Sequence, residues 1–383
     1  MHNFGRNIWL DLIRGCSALI VCIGHLRNSI LVDFNGLDHP NIVVKIFYAM
    51  TSLGHEAVMV FFVLSGYFVG GSVLRFGINF SWRTYLALRL IRLWVVLIPC
   101  LLITWCIGVV LEHYSPGVLM GANYAIWHSG PKTGMYSADV GTFLSNVFFL
   151  QTIISPIFGA NSPLWSLANE FWYYILFPLL AISVGFVGSG KYLFRAIALL
   201  LAIVITWWLP NEILFGFIVW LMGVIVYLVQ SKIQNIGLNY SRALVLLASI
   251  LFCFSLVYSK SVSLIKIFVI DPDIAVGLAF AFLCLMLTYR PFLKISWPLF
   301  SNLTRDISEM SYSLYLSHFP IVILIASIIY GSKKFVPDWL VMIQFLGWFG
   351  MLVGTGGVIW WLFESRTTWV RKKITSSFSL LRI

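Results

Sequence analysis

Ten apolar runs, each near the length needed to cross about 30 Å of hydrocarbon, dominate this chain of 383 residues. They lie near 8–31, 45–70, 86–111, 164–185, 192–209, 213–230, 242–259, 271–289, 310–331 and 337–363. With 60% hydrophobic and only 10% charged residues, the chain holds more apolar surface than a soluble core of this size can hide. Lipid is therefore the solvent, and there every backbone polar group must be satisfied within its own segment. The fold class that follows is an all-α polytopic membrane protein with about ten transmembrane helices.

Charge sets the direction of threading. With a cytoplasmic N-terminus, the cytoplasmic segments hold seventeen Lys and Arg and the opposite side seven, with Arg14 inside a span. The positive-inside rule then places both termini in the cytoplasm. The formal net charge of +11 sits at span ends, which points to membrane lipid as its partner and away from nucleic acid. Asp11 and Arg14 interrupt the first apolar run and no small-x-small cleavage site follows it, so that run is expected to stay as a signal anchor. Segment 143–154, inside the long outer loop of about 112–163, is too short to span and reads as interfacial or re-entrant. The domain reading is one transmembrane domain, 1–363, followed by a short basic tail, 364–383, whose Arg371, Lys372 and Lys373 suit anionic headgroups. All six cysteines fall in apolar runs without paired or metal-ligand spacing, so they read as packing residues and no metal is expected.

Ionisable residues within spans carry the functional signal, because each costs about 2.5–3.5 kcal/mol on insertion scales. Asp11, Arg14, His25, Glu56, Glu170 and Glu364 stand out. Arg14 and His25 are eleven residues apart, about three full turns, so they share one face with His25 about 16 Å farther outward. Asp11, one turn before Arg14, is placed to neutralise it. Imidazole is the side chain suited to general-base work near neutrality. Glu56 lies in a span that continues into Phe61-Phe62-Val63-Leu64-Ser65-Gly66-Tyr67; a structural ion pair between helices is the other reading for such a carboxylate. Arg89 and Arg92, one turn apart, offer guanidinium groups with phosphate-binding geometry. Ser166, Glu170, Tyr173 and Tyr174 form a polar stripe in the fourth span, and Ser311, Tyr315 and His318 another in the ninth.

Taken together, Trp9 through His25, the Phe-Phe-Val-Leu-Ser-Gly-Tyr segment, Trp165-Ser166-Leu167 through Glu170, Ser311 through His318, and Phe363-Glu364 resemble the acyltransferase family 3 of membrane enzymes, in that family's order. Those enzymes O-acylate bacterial surface and secreted glycans. The chain departs from the pattern at Leu88, where paired arginines are common, at Val95, Ser317 and Arg366. The resemblance implies an acyl-CoA donor, usually acetyl-CoA, reaching the enzyme from the cytoplasm, and a saccharide or lipid-linked glycan acceptor across a bacterial inner membrane. It implies His25, Arg14 and Glu170 as the catalytic set, and Arg89, Arg92, Ser65, Tyr315 and His318 as acyl-CoA-binding residues. In that scheme His25 removes a hydroxyl proton or relays the acyl group, and Arg14 or a neighbouring donor steadies the thioester oxyanion. An esterase-like outer domain is not expected, so acceptor handling falls to the spans, the outer loops or a separate protein. A secondary transporter or flippase is the rival from another class, since polar residues in several spans also suit a permeation path.

Overall fold

A computed structural model describes residues 7–127, 129–188, 190–230, 232–233, 238–261, 270–289 and 298–377. Arg6, Lys266, Arg290, Lys294 and Arg382, which enter the charge count above, lie outside the described residues. The chain runs through α1 (Ile8–Ile30), α2 (Ile42–Thr51) and α3 (Gly54–Ser65), which a π turn at Gly66–Gly70 continues into α4 (Gly71–Phe76). Then come α5 (Trp82–Tyr114), the short α6 (Pro116–Leu119), α7 (Tyr124–Trp127) and α8 (Val140–Val147), and α9 (Leu164–Ser183). The remainder is α10 (Tyr192–Trp208), α11 (Asn211–Gln230), α12 (Leu238–Ser261), α13 (Pro272–Tyr289), α14 (Pro298–Leu324) ending in a π turn at Ile325–Ile329, α15 (Trp339–Leu362) and α16 (Thr367–Ser377). Among the described residues the only extended pairings are isolated bridges.

Each of the ten predicted segments carries a helix, and among the described residues seven helices are long and apolar enough to cross a membrane: Ile8–Ile30, Gly54–Asn79, Trp82–Tyr114, Asn211–Gln230, Tyr240–Ser261, Leu299–Ile329 and Trp339–Lys373. The other three predicted spans fall on α9, whose Asn169 and Glu170 lower its hydropathy, and on the shorter apolar helices Tyr192–Trp208 and Pro272–Thr288. The predicted span 45–70 divides. Its first part belongs to α2, which ends where Thr51 Oγ donates to the Phe47 carbonyl and Ser52 Oγ to that of Ala49. Hydroxyls that bond back to helix carbonyls compete with further helical turns. The apolar span itself is Gly54–Asn79. Within the predicted tail, Thr367–Ser377 is helical, and Lys373 lies over the Trp369 ring at 5.0 Å.

The chain forms two compact units. The first comprises residues 1–17, 55–81 and 169–308. Here α11 packs on the π turn and on α13, and α12 packs on α13. The contact with the π turn is backbone against backbone: a Cβ at Gly66 would lie 1.8 Å from the Trp220 carbonyl oxygen, and one at Gly223 would lie 1.9 Å from that of Val63. Only glycine fits at either position, the membrane pattern in which small residues let helices approach closely. Gly70 and Gly71 leave similar room for Val224 and Tyr227.

The second unit comprises residues 18–54, 82–168 and 309–383. Its core gathers Ile107 and Leu111 of α5, Val118, Leu119, Trp127 and Ala160 of the following loop, and Phe319, Ile323 and Ala326. That loop is held by its own polar groups. Asp139 caps α8 by accepting from the Thr142 amide at 2.9 Å, and Asn146 donates to the Pro156 carbonyl and accepts from the Phe158 amide. After α8 the chain turns back through Phe149 and Thr152, both with positive φ, into the Gln151–Ser155 bridge, and Trp94 of α5 donates to the Val147 carbonyl. Segment 143–154 is thus a helix end and a turn folded beside α5.

Pro320 lies inside α14. Lacking an N–H, it leaves the carbonyl of Leu316, four residues back, without its helical donor. Asn161 Nδ2 supplies one at 2.9 Å while also donating to Thr104 at 3.2 Å. This side-chain graft holds the segment just before α9 to α14 at Leu316, two residues before His318.

Candidate active site

Helix α1 runs unbroken from Ile8 to Ile30, so Arg14 and His25 both project from regular helix. Arg14 meets the first unit, where its Nη2 donates to the Ser308 carbonyl at 2.8 Å. The Ser308 hydroxyl in turn donates to Asp11 at 3.1 Å. Asp11 and Arg14 therefore converge on one residue of α14, a partner that spacing along α1 does not reveal.

In the same unit Glu170 anchors a second group. Its Oε1 accepts from Ser65 Oγ at 2.7 Å and from the Tyr174 hydroxyl. Ser65 also accepts from Trp220 Nε1 at 3.1 Å. The Phe-Phe-Val-Leu-Ser-Gly-Tyr segment and the fourth span thus meet at Ser65 and Glu170. Tyr173 leaves this stripe: it is buried and donates to the Ile213 carbonyl at 2.9 Å. Glu56 belongs elsewhere as well. Buried in α3, it accepts from Lys260 Nζ at 2.8 Å and Ser259 Oγ at 2.6 Å of α12, so the ion-pair reading holds for it.

The second unit holds His25 against His318. Nδ1 of His25 lies 2.8 Å from Nε2 of His318, and Nδ1 of His318 lies 2.9 Å from the Leu314 carbonyl. The Phe319 ring stands edge-on to His25 with centroids 4.8 Å apart. His318 is buried, with 1% of its surface exposed, whereas His25 is half-buried. One turn before His318, Tyr315 shares a 2.7 Å hydrogen bond with Ser166 and donates to the Pro163 carbonyl at 3.3 Å. Lower on α14, Ser313 donates through its hydroxyl at 2.6 Å and its amide at 3.2 Å to Glu364. The motif residues of the first, fourth, ninth and last spans that fall in this unit are therefore tied through α14, with Tyr315 and His318 on one side and Ser313 on another. Ser311 of the same stripe is buried.

Of the three arginines of α5, the two with phosphate-binding spacing, Arg89 and Arg92, differ. Arg89 is half-buried, its guanidinium 5.7 Å from the Tyr85 ring centre, while Arg92 is exposed. Cys22 is fully buried. No group of His, Cys, Asp and Glu able to hold a metal ion occurs among the described residues.

Residues 7–364 match the family model described as an acyltransferase domain. The chain belongs to this acyltransferase family. The match takes in every site residue named above. The chain is also similar to an O-acetyl transferase of Shigella phage Sf6, with 27% identity over 189 residues that make up 47% of this chain and 47% of that protein. It thus spans about half the length of that curated relative. No solved structure matches it.

Within their own units, Asn161, Ser308 and Trp220 hold groups that spacing did not single out. Pro320 offered a signal for Asn161, since a proline within a long apolar helix leaves a carbonyl that some donor must satisfy. Trp220 and Ser308 had none, because their partners are far away in sequence.

Proposed function

We propose that this protein transfers an acyl group, foremost acetyl, from acyl-CoA in the cytoplasm to a hydroxyl of a saccharide or lipid-linked glycan at or across the bacterial inner membrane. In this reading ten helices span and both termini are cytoplasmic, with the charge asymmetry of the loops as support. The observation that carries the chemistry is His25: a half-buried imidazole with one nitrogen engaged by His318 and the other available to a reacting hydroxyl. Nε2 of His25 takes the acceptor proton as the oxygen attacks the thioester carbonyl. A C–O bond forms, the C–S bond breaks, and the proton passes to the departing thiolate, so the products are an ester and free coenzyme A.

Arg14 takes a different part from the oxyanion role. The unbroken helix keeps it about 16 Å from His25 along the axis, beyond reach of the atoms His25 acts on. Its guanidinium is held by the Ser308 carbonyl, and the donor role falls to Arg89, whose guanidinium suits the phosphates of coenzyme A. Glu170 steadies Ser65. The similarity to an O-acetyl transferase supports acetyl as the group transferred.

The test is release of coenzyme A thiol by purified protein in lipid nanodiscs given acetyl-CoA and an extract of lipid-linked glycan. His25→Ala should abolish it, since general-base assistance contributes about 10²–10⁴ in rate. Near wild-type release by His25→Ala would remove His25 from the chemistry, and glycan movement without thiol release would favour transport.

A further inference from the structure

The protons of the His25–His318 pair can be assigned from one fixed acceptor. The Leu314 carbonyl, 2.9 Å from His318 Nδ1, can only accept, so that nitrogen carries hydrogen. A neutral imidazole has a single N–H, which leaves Nε2 of His318 as a lone pair. His25 Nδ1, 2.8 Å away, must then be the donor. The lone pair of neutral His25 therefore lies on Nε2.

Ring geometry agrees. The planes are inclined by 10° with centroids 5.1 Å apart. The 2.8 Å nitrogen separation is shorter than the roughly 3.5–4.0 Å contact of stacked faces. The rings thus meet edge to edge in nearly one plane, with the N–H aimed along the lone pair, and Phe319 flanks the His25 ring at 4.8 Å. Both nitrogens of His318 are consumed inside the protein, by Leu314 and by His25. None is left for a substrate, which argues against the acyl-CoA contact that the family resemblance implies for it.

We propose that His318 is a positioning residue that fixes the tautomer and orientation of His25, so that Nε2 of His25 is the base. This rests on the reading of His25 given above. His318 neither gains nor loses a proton in the cycle; it accepts from Nδ1–H while Nε2 of His25 takes the hydroxyl proton and returns it to the coenzyme A sulfur. The logic is that of a base oriented by a third group, where loss of the correct tautomer costs up to about 10⁴ in kcat.

Two variants and one spectrum test it. His318→Leu cannot accept from His25 and should lower kcat by about 10²- to 10⁴-fold with an unchanged KM for acetyl-CoA. His318→Gln offers an amide oxygen near the former Nε2 and should recover most of that rate. Nitrogen-15 NMR of histidine-labelled wild-type protein in nanodiscs, with His25 assigned by difference from His25→Ala, should show Nδ1 protonated and Nε2 bare. Equal losses in His318→Leu and His318→Gln, a raised acetyl-CoA KM at unchanged kcat, or a protonated Nε2 on His25 would each overturn the proposal. The spectrum decides if His318→Leu does not fold. An active His25→Ala would instead overturn the functional reading and leave the tautomer assignment standing.

Discussion

His25 and Cys22, one turn apart on α1, show how environment separates two groups that both have nucleophilic chemistry. Cys22 is fully buried, and a thiol without a cationic or polar setting is inert packing. Cys22→Ser should therefore keep glycan acylation near the wild-type level, measured by thiol release; loss of turnover in folded protein would reopen an acyl-cysteine route. Arg89 and Arg92 separate in the same way. Arg89→Ala should raise the KM for acyl-CoA, whereas exposed Arg92→Ala should change it little. Equal effects would return both to one phosphate site. The residue types and their helical spacing made His25, Glu170 and Tyr315 legible as polar positions in spans. Their partners were not legible, because Trp220 donating to Ser65, or Ser308 meeting both Asp11 and Arg14, depends on which helices pack together.

Among the elements, glycines and one proline set the closest contacts. Gly66→Ala or Gly223→Ala would drive a methyl group into a backbone carbonyl that cannot move aside. Overpacking of this kind costs about 1–3 kcal/mol or more, so both variants should lower the unfolding temperature of the purified protein; unchanged stability would contradict the close approach of α11 to the π turn. For α14, Asn161→Ala leaves the Leu316 carbonyl unsatisfied at a cost of about 1–3 kcal/mol. In a Pro320→Ala background, where residue 320 regains its N–H, the same substitution should cost less, and a double-mutant cycle measures the difference. Additive costs would mean that Asn161 does not replace the missing helical donor. At the cap of α8, hydrogen bonds from Ser137 and then Thr142 hold the Asp139 carboxyl well below the usual carboxylate range. A depressed folded value means the cap is present above the ordinary value and is lost only as pH falls through the depressed one. Protection of the Thr142 amide, corrected for intrinsic exchange, should stay level from about pH 8 to about pH 5; a fall within that window would show the cap released early. The length of the apolar runs foretold the helices well, but the division between α2 and α3 was hidden, since Thr51 and Ser52 interrupt an otherwise apolar stretch with hydroxyls that only the folded backbone engages.

At the scale of the whole molecule, residues 7–364 place the chain in an acyltransferase family, and seven helices among the described residues are long and apolar enough to cross a membrane. The proposed direction of transfer, from a cytoplasmic donor to an outward acceptor, rests on the asymmetry of Lys and Arg along the chain. The most direct measurement is mass spectrometry of surface glycans from bacteria carrying the wild-type chain, the His25→Ala variant or neither. The account predicts a gain of about 42 Da, one acetyl group replacing hydrogen, in a glycan repeat unit of the wild-type cells alone. The same gain with His25→Ala, or no gain in any glycan fraction from the wild-type cells, would contradict it.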